Sequence, residues 1–226
     1  MLDRIRQEVA EEAKLIFKEI IANESLAPHV DPRLPIPDVF FGTGEIKLIV
    51  LGQDPTVKDA KKRREITVTL NLNKRGAVRN YLSRVCRELE LDLDLNVYAT
   101  NLFKNFFVKP PTQIKDFEIF EAFVPHWLPL LKEELATFPN IPIITLGQPL
   151  LRALVVDKSK GLVRKYWGYA IDWQENPPLP FSFVLPEDNK LGRRFFPFPH
   201  QPSLRKPFYK VTLPAYIDYL RTQAFT

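Results

Sequence analysis

Three short apolar runs, each broken by a polar turn, constrain the fold of this chain more than any other feature. Ile46-Lys47-Leu48-Ile49-Val50-Leu51 stops at Gly52-Gln53-Asp54-Pro55, Asn96-Val97-Tyr98-Ala99-Thr100-Asn101 ends in an amide, and the run 141–146 stops at Gly147-Gln148-Pro149. A strand that is apolar along its length needs cover on both faces, the environment of a parallel sheet flanked by helices. The intervening stretches supply those helices. Leu2, Ile5, Val9, Ala13, Ile16 and Ile20 recur at steps of three and four, the period of an amphipathic helix. Val78, Leu82, Val85 and Leu89 make a second stripe, and further helices are expected over 115–135, 150–156 and 212–221. Residues 181–185 read as one arm of a hairpin, and 193–199 as a strand leading into His200. The alternation predicts an α/β fold, a three-layer α/β/α sandwich around a parallel sheet.

Length and composition narrow the class. At 226 residues the chain suits one domain, 1–226, with an N-terminal helix and a proline-rich arm (1–44) packed on it. Prolines number 21 and glycines 8, which favours stiff, irregular connections; Pro28, Pro32, Pro35 and Pro37 make 28–44 an extended arm. The single cysteine, Cys86, excludes a disulfide framework, a four-cysteine zinc site and a cysteine-held iron–sulfur cluster. No apolar run approaches the roughly 18 residues of a membrane span. The charged start of the chain differs from a signal peptide, so an intracellular, cytoplasmic monomer with no membrane contact is expected. A net charge of +5 leans toward an anionic partner. No metal-ligand spacing is present.

In sheets of this kind ligands gather beyond the carboxyl ends of the strands. Gln53-Asp54, Asn101 and Gly147-Gln148 sit at such ends, and His200 follows the last expected strand. Each alone is an ordinary turn residue or structural histidine. On one rim, an acid, an amide and an imidazole together make a set that reads and cleaves a nucleobase. A carboxylate stabilises positive charge on a sugar and orients water. An amide offers an acceptor and donors to the edge of a pyrimidine, and an imidazole donates to a departing base anion.

The motifs resemble those of the uracil-DNA glycosylase superfamily. Val50-Leu51-Gly52-Gln53-Asp54-Pro55 is similar to its first motif, Gly-Gln-Asp-Pro-Tyr, behind the same kind of strand. Val97 to Leu102 and Ile143 to Gly147 look like its second and third strands. Pro199-His200-Gln201-Pro202-Ser203-Leu204 is similar to His-Pro-Ser-Pro-Leu, and the order agrees from about residue 44 to 210. The resemblance implies a four-stranded parallel sheet between helices, no cofactor, and DNA carrying uracil or a related damaged base as partner. It places Asp54 and His200 in catalysis, and Gln53 and Asn101 against the base. It also places Ser203 and the backbone around Gly147 on phosphates, Leu204 as the wedge replacing the extruded nucleotide, and Arg205 and Lys206 beside it.

Three positions depart from the family pattern. Thr56 stands where the family has a tyrosine that excludes the thymine methyl. Val68 aligns with the phenylalanine that stacks on the base, a contact worth about 1–3 kcal/mol. Gln201 is inserted between His200 and Pro202, an insertion expected to re-aim the imidazole or the wedge, or to put Gln201 in the histidine's place. Phe103, Phe106, Phe107, Phe195, Phe196 and Phe198 are substitutes for the missing ring or members of the core. The basic run 58–65, with Lys58, Lys61, Lys62, Arg63 and Arg64, is a solvated surface or a phosphate-contacting loop. These departures keep open a second reading, a catalytically impaired nucleic-acid-binding member of the same superfamily. A third, an unrelated α/β enzyme, lacks a phosphate loop or nucleophile elbow to support it.

Overall fold

The computed structural model describes residues 2–110, 118–169 and 179–225. In chain order the elements are α1 (Leu2–Ala22), β1 (Phe40–Phe41), β2 (Leu48–Gly52), α2 (Ala60–Arg63), α3 (Ala77–Glu88), α4 (Leu93–Asn96) and β3 (Val97–Asn101). They continue with α5 (Glu118–Ala136), β4 (Ile143–Leu146), α6 (Gln148–Leu154), α7 (Val163–Tyr166), β5 (Phe196–Phe198) and α8 (Pro207–Ala224). The apolar runs pair with one another because every residue of β2, β3, β4 and β5 is buried. The result is a mixed α/β fold with a five-stranded, mostly parallel sheet of order β1-β3-β2-β4-β5.

Register sets what meets at the rim. Gly52 lies opposite Asn101, Leu51 opposite Thr145, and Leu146 opposite Phe198. The chain runs from β2 outward to β3, returns past β2 to β4, and continues to β5. The winding therefore reverses between β2 and β4, and open α/β sheets take their ligands at the carboxyl ends beside such a reversal.

Helices cover both faces. From β3 the Tyr98 hydroxyl donates to Glu134 Oε2 of α5 at 2.7 Å, and α1 packs on α5. Lys104 pairs with the other Glu134 oxygen and donates to Thr100 Oγ1 at 2.5 Å, so the buried charges are neutralised within the core. Asn101 lies three residues from Tyr98 and so faces the opposite side of the pleat. There α3 packs on α8, and Trp167 stacks on Tyr216 with ring centroids 4.4 Å apart and meets Phe198 edge-on at 5.5 Å. One hydrophobic cluster is continuous from α1 to α8. No helix among the described residues is long and apolar enough to cross a membrane.

The structure corrects the expected pattern in several places. A fifth strand, β1, joins the four parallel ones at the edge of β3 and runs antiparallel. It arises within the proline-rich arm, past its last proline, where Phe40 and Phe41 can pair. Pro28 does not exclude a helical turn: it sits in the short 3-10 turn Ala27–His29, near a start where its missing N–H costs nothing. The closing helix begins earlier than its apolar stripe, because Pro207 at the first position presets the backbone. Residues 115–117 of the expected third helix lie outside the described residues, and its remainder continues through Pro125 and Pro129. The hairpin expected at 181–185 reduces to one antiparallel bridge, Val184 with Phe195.

Candidate active site at the carboxyl rim

The central strand β2 ends in Gly52, and Gly147 follows the end of β4. A Cβ on Gly52 would stand 2.2 Å from Asn101 Oδ1 and 2.8 Å from Leu70 Cδ2, so the tips of both side chains crowd onto the bare backbone. Asn101 is 2% exposed and its Oδ1 is buried without a hydrogen-bond partner. Buried side-chain acceptors are nearly always satisfied, so an orphan at a strand end marks a place where a donor from outside fits. Leu70 reaches this point from a left-handed conformation (φ 56°), with Asn71 beside it at φ 54°. Two consecutive non-glycine residues in that region store strain.

Asp54 lies two residues beyond Gly52, on a loop tied to the end of β3. Leu102 N–H donates to the Gly52 carbonyl at 2.9 Å, and Phe103 N–H to the Gln53 carbonyl at 2.8 Å. Gln53 and Asp54 themselves are half-buried. Burial pushes the Asp54 carboxyl up to about 7, against the opposing pull of Thr56 hydrogen bonds and the Arg63 charge. Thr56 N–H donates to Asp54 Oδ2 at 2.8 Å. The Thr56 hydroxyl also accepts Phe107 N–H at 2.8 Å. It therefore links the carboxylate to the backbone after β3.

Arg63 fixes the outer side of this loop. It is 6% exposed and donates to the carbonyls of Val57 (2.9 Å), Phe107 (3.1 Å) and Val108 (3.0 Å). The run of bases is thus divided. Lys58, Lys61, Lys62 and Arg64 are exposed, and Arg63 is turned inward.

Beyond β4, Gly147 adopts φ +94°, which favours glycine, and its N–H donates to the Phe198 carbonyl at 2.8 Å, so that amide is already occupied. A Cβ on Gly147 would lie 3.4 Å from His200 Cβ, which brings the histidine to the end of β4. His200 is exposed on its outer side, and partial burial of the ring holds its pKa below the ordinary value. The Tyr81 hydroxyl, from α3, donates to the Pro199 carbonyl at 3.3 Å and steadies the preceding peptide. Gln201 opens the short 3-10 turn Gln201–Arg205, in which Ser203 N–H donates to the His200 carbonyl at 2.8 Å. Leu204 is half-buried against the core, while Arg205 and Lys206 are exposed ahead of α8.

The anticipated residues therefore share one rim, in two pairs. Asn101 and Asp54 end neighbouring strands, Gly147 and His200 end the next two, and strand spacing puts β5 roughly 10 Å from β2. Val68 lies beside Asp38 through a parallel bridge, and it is Leu70 that reaches the end of β2, where Asn101 also crowds Gly52. The six phenylalanines considered as substitute stacking rings are at most 1% exposed and belong to the core. Leu70, Tyr81 and Arg63 were not singled out in the sequence. Nothing local marks Leu70 as left-handed, and Arg63 differs from its basic neighbours only in where the short helix α2 turns it.

Lys58, Lys61, Lys62 and Arg64 are exposed in the loop after β2 together with Asp59 and Glu65, and Arg205 and Lys206 are exposed after His200, while before β2 and β3 Glu45 pairs with Lys47 and Asp94 with Arg79. Two cavities lie away from the rim: one of about 670 Å³ between α1 and the proline-rich arm, and one of about 400 Å³ at the amino end of β2 and β4. Cys86 is buried, which pushes its thiol up to about 12 and leaves it unreactive. No protein-family model matches the chain, and no curated protein matches it.

Proposed function

We propose that this protein hydrolyses the N-glycosidic bond of uracil, or of a related damaged base, extruded from DNA. The observation that carries the reading is the buried, unpartnered Asn101 Oδ1 beside the Asp54 loop. That oxygen accepts the N3–H of a uracil-like base while the amide nitrogen donates to O4; cytosine, with the opposite pattern, leaves both unpaired. Ionised Asp54 faces the sugar, stabilises the developing cation and orients the water that adds to C1′. Neutral His200 donates to the leaving base, and the anion then takes a proton from solvent. Leu204 fills the place of the extruded nucleotide, and Arg205 and Lys206 hold flanking phosphates.

A second reading, a nucleic-acid-binding protein without cleavage, draws on the Leu70 side chain that lies where the base edge must meet Asn101. One experiment separates the two. Purified protein is incubated with single-stranded and mismatched DNA carrying uracil, hypoxanthine, xanthine or an alkylated base, and abasic sites are read by alkaline strand scission. Cleavage by the native protein, absent in Asp54→Asn, supports the glycosylase. Salt-dependent DNA binding with no abasic sites on any strand supports the binding protein and ends the case for catalysis.

A further inference from the structure

The cavity between α1 and the proline-rich arm has the size and lining of a ligand site. Its volume of about 670 Å³ lies within the range of small-molecule pockets. It stays open for two reasons. Pro32, Pro35 and Pro37 stiffen the arm so that it cannot fold onto the helix, and Ala10 and Ala13 leave the facing side of α1 narrow. Its walls are apolar: Val9, Ala13 and Phe17 of α1 face Leu34, Ile36 and Val39 of the arm.

The charged lining has one predominant sign. Arg6, Lys14, Lys18, Arg33 and Lys104 contribute to it, against the single acid Asp38. Arg33 is held by Asp31, and Arg6 lies 5.6 Å from the centroid of the Phe41 ring. Lys14 and Lys18 are exposed at the mouth and make no ion pair among the described residues. Deeper, the Lys104 side chain is 4% exposed; it is paired with Glu134 and donates to Thr100, so its charge is already matched.

We propose that this groove binds a single-chain amphipathic anion, with its apolar body along the α1–arm walls and its carboxylate or phosphate monoester head among the lysines. The apolar walls supply burial, and Lys14 and Lys18 supply charge complementarity. The inference is independent of the reaction proposed above.

The test is isothermal titration of the full chain with decanoate, decyl phosphate and decanol, each below its aggregation concentration. Stoichiometric binding of at least one anion, at least tenfold tighter than decanol, supports the site, and the tighter anion identifies the head group. Ala10→Phe fills the groove from a half-buried position and is expected to weaken that binding at least tenfold. Lys14→Glu with Lys18→Glu is expected to weaken the anion at least fivefold and leave decanol unchanged. The proposal is overturned if neither anion binds at millimolar concentration, if decanol binds as tightly, or if Ala10→Phe binds like the native chain.

Discussion

The side-chain oxygen of Asn101 packs against Gly52 so closely that a β-carbon there would stand 2.2 Å from it. The two residues face each other across the β2–β3 ladder, and only glycine leaves room for the amide. The absent side chain at 52 therefore sets where the Asn101 amide sits.

Gly52→Ala should push that amide out of place. Leu70, at 2.8 Å from the same point, is only partly buried and can turn aside, whereas the enclosed Asn101 amide makes room only by leaving its position. Overpacking of this kind costs about 1–3 kcal/mol. Urea unfolding should show the loss, and cleavage of uracil-containing DNA should fall more than tenfold. Unchanged stability together with unchanged cleavage would remove Asn101 from the site.

For the proposed reaction, Asp54 should make activity and stability move in opposite directions with pH. Its pKa in the fold is about 7, against about 3.9 in an unfolded chain. The neutral acid is the form the fold prefers, so its stabilising contribution is complete below about pH 4 and is lost as pH rises through 7. Cleavage needs the carboxylate, so its rate should climb through pH 6–7 and level off above 8. Asp54→Asn should abolish cleavage, melt like the native protein near pH 4, and melt higher at pH 8, by about 1–2 kcal/mol after solvent screening. A variant less stable than the native protein at pH 8 contradicts this account.

Thr56→Val keeps the shape and removes the hydroxyl. Phe107 N–H then loses its acceptor and Asp54 loses a bond that favours its charged form. The pH–rate profile should shift upward by about half a unit or more, with a stability loss of about 1–2 kcal/mol. A side chain that only bordered the base would change base preference and leave the profile where it is.

Arg63 and Lys62 are neighbours in sequence with different expected roles. Arg63→Met unpairs three backbone carbonyls and should cost about 2–4 kcal/mol in denaturant unfolding. Lys62→Met should leave stability within about 0.5 kcal/mol. If Lys62 contacts a phosphate, its loss lowers the slope of log affinity against log salt by about 0.9. Equal stability losses at both positions would erase the distinction.

The strands and principal helices were legible because their signal is local. An apolar run ended by Gly52 or Gly147 marks a buried strand, and a stripe such as Val78, Leu82, Val85 and Leu89 marks the helix that covers it. β1 was not legible, since two residues after a proline arm carry no period. Asp54, Asn101 and His200 stood out because each follows a strand, and strand ends in a parallel sheet lie on one rim. Leu70 and Arg63 did not, because a left-handed backbone and an inward-turned guanidinium leave no mark in composition.

The chain's own pattern of residues determined an α/β architecture, the strand ends that make up its carboxyl rim, and the residue types gathered there. Tertiary structure alone decided the strand order that sets β4 between Asp54 and His200. It also decided the approach of Leu70 to Asn101 and the Thr56–Phe107 link across 51 residues of sequence. The reason is range. Periodicity and turn chemistry act over a few neighbouring residues, whereas register, burial and orphaned polar atoms depend on which distant segments the core brings into contact.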